Sequence, residues 1–407
     1  MPRVPADPGS QDDRAPRPVV LDTPAQIVDA VPYLVGFQPA ESVVALSLRG
    51  QRGRVGLTAR ADLPPPEWAD ECAAQLVGHL RRDGARRVVV VAYPPAPGLA
   101  HPSVRAIADA FTHRLAAIGI PLAELLCVHE GKWWSLVCDD PACCPNDGTP
   151  VAASAAGSVL GAAMAVEGRV VLPSRAALAA TLEPLDDDLG AAMARALPEV
   201  QAAVGDRVWG GHRDEVAAES LALFTDAVRR RVEGHTGDPP DVSARLIVGL
   251  DDLVVRDVVI TWTEGERGAA ARALLAELVP RAVPPFHVVP LTVLGWLAYQ
   301  SGEGALAAMA VERALAADPD YALALLLAQA LDRAIDPAVF RMGLRSVAER
   351  WAPVSKGKRA NGGAARSSGG PLELPGSGAR PQRAGGEAPA GERGAGASRS
   401  GRGRGRP

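Results

Sequence analysis

Two hydrophobic rhythms divide the chain. Up to about residue 150, short alternating or continuous apolar runs are interleaved with stretches of helical spacing; beyond it, apolar residues recur almost only every three or four positions. Thr23-Pro24 pairs a capping side chain with proline at the first helical position and opens a helix that Pro32 is expected to stop. Ser42 to Leu48 and Arg54 to Leu63 read as strands of a β-hairpin about Arg49-Gly50-Gln51-Arg52-Gly53. Trp68 to Arg82 carries Cys72, Leu76 and Leu80 at helical spacing, and Arg87 to Ala92 is a valine-rich run of the kind a buried strand shows. Ser103 caps a helix whose face is Val104, Ile107, Ala108, Phe111 and Leu115 and which ends near Gly119. Glu124 to Glu130 and Trp133 to Cys138 form two further strands joined at Gly131-Lys132. Hairpins at both ends of this alternation predict a sheet of mixed direction covered by helices.

After Pro150 the helical period takes over. Val151 to Val166, Arg175 to Leu182, Asp187 to Leu197, Asp214 to Val232 and Gly268 to Leu278 all show it, with Pro or Gly between most of them. Val242 to Trp262 has the β-branched content of a strand, but Leu246, Leu250, Leu253 or Val254, and Val258 keep helical spacing, and helix is the expectation. From Val289 onward, Leu294, Gly295, Ala298, Ala307, Val311, Ala314 and Pro319 fall at spacings that resemble one tetratricopeptide repeat, with Gly302 at the turn and Leu323 to Leu331 as the next helix. One repeat cannot bury its own apolar face, so it closes a helical domain rather than forming a peptide-binding array.

The expected fold class is α+β: a mixed α/β sheet domain at 19–150, a helical domain at 151–285, and tetratricopeptide-like helices packed on it at 286–345. The ends, 1–18 and 353–407, are rich in Gly, Pro, Ser, Ala and Arg and are expected to be disordered, because they cannot bury enough surface to offset ordering entropy.

Composition narrows the function classes. No apolar run reaches the roughly 18 residues of a membrane-spanning helix, and the Pro- and Asp-rich start lacks the apolar segment of a secretory signal. Five cysteines without such a signal imply reduced thiols, so a cytoplasmic, non-membrane protein is expected. Residues 355–407 hold eleven Lys and Arg against three Asp and Glu, a net +8 that leaves −12 on the rest of a chain whose total is −4. This basic tail is suited to weak nucleic-acid contact, although a solvated tail is the simpler reading. Arginine carries little information of its own here, since Lys132, Lys356 and Lys358 are the only lysines.

One cluster stands out chemically. Trp133 to Pro145 gathers two of the seven tryptophans and three of the five cysteines. Cys138, Cys143 and Cys144, with His129 on the preceding strand, form a candidate zinc site, and Asp139 or Asp140 could add an oxygen. No second cysteine pair completes the set. Redox work at Cys143-Cys144 is disfavoured by the acidic neighbours and by the strain of a bond between adjacent cysteines. The plainest reading is packing, with the cysteines as small hydrophobes. Trp133 and Trp134 must point to opposite faces of a strand, so one is at least partly exposed. Lys132, Trp133, Trp134, Asp139 and Asp140 therefore form a candidate binding surface. Elsewhere, Asp186-Asp187-Asp188 reads as a helix cap, His212 as part of a loop entering a helix, and Glu41, Arg60 and Asp62 as polar groups that the first two strands could bring together.

Several segments together resemble an actinobacterial group, the domain of unknown function family 4192: Thr23-Pro24-Ala25 through Val31-Pro32-Tyr33-Leu34-Val35-Gly36-Phe37, the Cys138 to Pro145 cluster, Pro173-Ser174-Arg175, and Gly302 through Ala314-Leu315-Ala316-Ala317-Asp318-Pro319-Asp320-Tyr321. The resemblance covers about residues 20–340, leaves the Arg-Gly tail outside, and implies no activity, cofactor or partner. The chain has no phosphate-binding loop, no G-x-G-x-x-G, no G-x-S-x-G and no H-E-x-x-H. A non-enzymatic cytoplasmic binding or regulatory protein is the preferred expectation, with its partner unidentified and a protein partner one option. The alternatives are a metalloprotein or enzyme at the Cys138 to Cys144 loop, and nucleic-acid association through the tail.

Overall fold

Thr23 starts the first helix, α1 (Pro24–Val35), with a reciprocal cap: its hydroxyl accepts from Gln26 N, and the Gln26 side chain accepts from Thr23 N. The computed structural model describes residues 23–51, 53–95, 98–138, 140–151, 170–341 and 343. Pro32 does not stop α1 as expected. It is buried in the last turn with Val28, Val31 and Val35, and that packing offsets the one backbone bond proline forfeits. The helix ends instead at Gly36, whose left-handed φ of 85° lets its N–H reach Pro32 O at 2.8 Å.

The hairpin forms as predicted from β1 (Ser42–Arg49) and β2 (Arg54–Asp62), followed by α2 (Ala69–Arg82) and β3 (Arg87–Tyr93). The next helix, α3 (Pro102–Ala117), is capped by His101 rather than Ser103: the His101 ring accepts from Ser103 N at 3.3 Å, and Pro102 fills the first helical position. Then come β4 (Leu122–His129), β5 (Lys132–Ser135) and β6 (Thr149–Pro150). The last has two residues, too few for a periodic signal.

These strands make one sheet in the order β2-β1-β3-β4-β5-β6. Only β3 and β4 run parallel, joined through α3, so the sheet is mixed as expected. Alternation assigns its faces. Val43, Ala45, Val88, Val90 and Leu125 pack against α2 and α3, whereas Val44, Leu46, Val89, Val91, Tyr93, Leu126 and Trp133 face α1 and the helices that follow. Cover on both sides is the reason β3 reads as a nearly continuous apolar run and β1 is buried up to its last residue.

The remaining elements are α4 (Arg175–Ala180), α5 (Asp188–Trp209), α6 (Arg213–Val232), α7 (Pro240–Gly249), α8 (Leu253–Val259), α9 (Gly265–Leu278), α10 (Val288–Gln300), α11 (Gly304–Ala317) and α12 (Ala322–Asp332). Helix α5 runs twelve residues beyond the predicted Leu197, through Pro198, and ends on a Trp209 that is 92% exposed. Val242 to Trp262 is helical but broken in two, because the Asp252 carboxylate accepts from Val254 N at 2.8 Å and caps a new helix. At the α10–α11 hairpin, a Cβ on Gly295 would lie 3.3 Å from Val311 Cγ2, so any larger residue there would need α11 to give by a few tenths of an ångström. Gly302 makes the turn with φ 80°.

The fold is α+β, and its described residues fall within one compact unit in which a single core runs from the sheet face through α12. The helix expected from Val151 to Val166 and the ends expected to be disordered, 1–18 and 353–407, lie outside the described residues, apart from Val151 itself. Among the described residues no helix is long and apolar enough to cross a membrane.

Candidate functional site

The cysteine loop leaves the sheet after β5 and returns as β6. Asp140 folds it: its backbone carbonyl accepts from Cys143 N at 3.1 Å and Cys144 N at 2.7 Å, while its carboxylate accepts from Ala142 N at 2.9 Å. That turn swings the two adjacent cysteines back toward Cys138, and the three sulfurs lie within 4.8 Å of one another. Cys143 is exposed and the other two are half-buried. Burial, with hydrogen bonds to Cys138 and Cys143, pushes the Cys144 thiol up to about 12. As a donor set, three sulfurs, joined by no oxygen or nitrogen ligand among the described residues, could hold a thiophilic cation.

His129 does not join them. Its Nδ1 sits 3.3 Å from Pro94 O, its ring packs against Gly98, and its Nε2 is 3.7 Å from the Glu130 carboxylate. The reason is register: His129 pairs with Lys132 at the hairpin end of β4, while Cys138 leaves the far end of β5. Asp139 lies outside the described residues.

The tryptophans divide as alternation requires. Trp133 is buried on the core face with no partner for its Nε1, and Trp134 is half-buried on the other. Trp134 Nε1 donates to Asn146 O at 3.2 Å and Lys132 Nζ to Asp147 O at 2.9 Å, so these two groups of the candidate surface hold the returning limb of the loop. Gly148 completes the seat: its φ is 81°, and a Cβ there would sit 2.5 Å from the Trp134 ring.

The other polar candidates have local duties. Asp187 caps α5 by accepting from Gly190 N at 2.9 Å. His212 lies exposed, 3.2 Å from Glu215. Arg60 pairs with Asp62 at 2.5 Å and lies over the Phe37 ring, and Glu41 offers its backbone carbonyl to Leu63 N.

A second locus was not foreseen. A cleft of about 600 Å³ opens over α9, floored by Ala269, Ala270, Ala273 and Ala276. Its walls are Tyr33 and Val35 from α1, Leu172, Leu178 from α4, Val232 from the end of α6 and Leu306 from α11. Backbone bonds brace the α1 side, with Leu172 N donating to Gly36 O at 3.0 Å and Gln38 N to Leu172 O at 2.9 Å.

Charge lines the cleft: both of its arginines are paired, while Glu266 stands exposed at its edge with no ion pair among the described residues. Arg272 Nε lies 2.9 Å from Glu303. Arg231, 3% exposed, donates to both Asp238 and Glu277, and Arg230 adds a second cation to Asp238. Burial works against ionisation of Asp238, but hydrogen bonds from Arg231 and Arg230 outweigh it and hold the carboxyl below its ordinary range. Neither histidine nor cysteine lines the cleft among the described residues, and Tyr33 and Thr181 are its hydroxyls. Such walls suit binding better than nucleophilic chemistry. In the sequence the available signal was the alanine face of α9 at 269, 270, 273 and 276, which reads equally as a packing face.

A family model described as a domain of unknown function, DUF4192, matches residues 24–338. No curated protein and no solved structure matches the chain.

Proposed function

The chain belongs to the DUF4192 family, and on that premise we propose that it is a cytoplasmic binding or regulatory protein that holds a small, largely apolar, uncharged molecule over α9. The cleft carries this reading. Its volume of about 600 Å³ falls in the range of small-molecule sites, and its floor and most of its walls are alanine, valine and leucine. Because Arg231 and Arg272 already have carboxylate partners, an anionic ligand would have to displace a protein group, whereas an apolar body gains from covering Val232 and Leu172. The α10–α11 pair, in this reading a tetratricopeptide-like hairpin, supplies the wall at Leu306 and keeps it fixed. A cytoplasmic setting is consistent with the five unpaired cysteines.

The neutral fluorescent probe N-phenyl-1-naphthylamine tests it. Saturable binding is expected, and Ala273→Phe, which fills the floor, should weaken it at least about tenfold. Absence of saturable binding, or equal binding by the variant, would overturn the reading.

A further inference from the structure

Cysteines that serve as packing look different from those of the loop. Cys127 is fully buried between Ala92 and Val104, as a small hydrophobe should be. Cys138, Cys143 and Cys144 reach solvent, yet their sulfurs converge, and the backbone bends specifically to achieve this through the two bonds to Asp140 O. Adjacent residues on an extended chain would point apart.

We propose that Cys138, Cys143 and Cys144 bind one thiophilic divalent cation, zinc, as a three-thiolate site whose fourth position the described residues leave open. The geometry is close to what the ion requires. Zinc–sulfur bonds of about 2.3 Å in a tetrahedral arrangement place sulfurs roughly 3.8 Å apart, so sulfurs already within 4.8 Å need to close by no more than about an ångström. An all-sulfur set selects zinc over magnesium and calcium, which take oxygen. On binding, the three S–H protons leave to solvent and are replaced by sulfur–metal bonds.

The site also supplies what the loop lacks. Between Ser135 and Thr149 the described chain forms no helix or strand, and Val137 is exposed rather than packed. A cation joining Cys138 at the start of the loop to Cys143 and Cys144 in its middle ties the exit from β5 to the turn, while Trp134 and Lys132 tie the return to β6. Three ligands with an open position also leave the metal reachable by a small exogenous donor. The proposal stands apart from the cleft, with which it shares no residue.

The test uses the full chain, reduced and stripped of metal. Titration with Co²⁺ should give near-ultraviolet thiolate-to-cobalt charge transfer saturating at one equivalent, and Zn²⁺ should abolish it. Cys138→Ser, Cys143→Ser and Cys144→Ser should each weaken Zn²⁺ binding by more than the roughly 10- to 100-fold that losing an outer-shell partner costs, while Cys72→Ser and Cys127→Ser leave it unchanged. A second measurement on the unaltered chain guards against misfolded variants: Zn²⁺ should protect the three loop thiols from alkylation. No charge-transfer band, bands that persist in the loop variants, or alkylation indifferent to Zn²⁺ would each overturn the proposal.

Discussion

The cysteine loop and the cleft over α9 are both partly open to solvent, but they are held in shape by opposite means. The cleft is set in the core: its floor helix buries Leu274, Leu275 and Leu278 on the side away from the opening, and Arg231, Asp238 and Glu277 lock its far wall. The loop borders on almost no core, and its described fixings are bonds to carbonyls and three converging sulfurs. A region rich in burial can afford an empty preformed cavity, whereas a region poor in burial needs something else to close it.

The largest expected effect breaks the cleft side of this contrast. Asp238→Ala leaves Arg231, whose side chain is almost wholly buried, with Glu277 as its remaining carboxylate, and should cost about 1.5–3 kcal/mol in urea unfolding. A loss no greater than that of a surface substitution would show that the wall is not held by this network.

Acid should weaken the same network gradually. The Asp238 carboxyl lies below its ordinary range in the folded chain, so its contribution is fully present above the unfolded carboxylate pKa and is lost as pH falls through the folded value. Stability measured down to that range should therefore decline less steeply in Asp238→Asn than in the parent chain. Identical slopes would remove Asp238 from the account.

Much of this architecture is legible in the residues. The strands β1 and β3 announce themselves by valine, the capping pair Thr23-Pro24 marks α1, and Gly295 with Gly302 marks the α10–α11 hairpin. What escapes is decided by tertiary contact. Pro32 sits inside a helix because its burial overrides the local rule, Pro198 lies exposed within α5, and His101 takes the cap from Ser103 because the helix starts at Pro102 and the His101 ring nitrogen accepts from Ser103 N. The three cysteines were visible as a cluster, but their convergence without His129 depends on the Asp140 turn and the β4–β5 register. The cleft was hidden for a different reason: alanines at helical spacing mean close packing in most contexts, and only the placement of α1, α4 and α11 leaves these facing space.

The most direct test is amide hydrogen exchange on the full reduced chain, with and without one equivalent of Zn²⁺. Slowed exchange from Val137 to Gly148, with α9 and the walls of the cleft unchanged, is the predicted result. An unaltered loop, or protection spread evenly through α9 and the loop, would contradict the division between a packed cleft and a metal-closed loop.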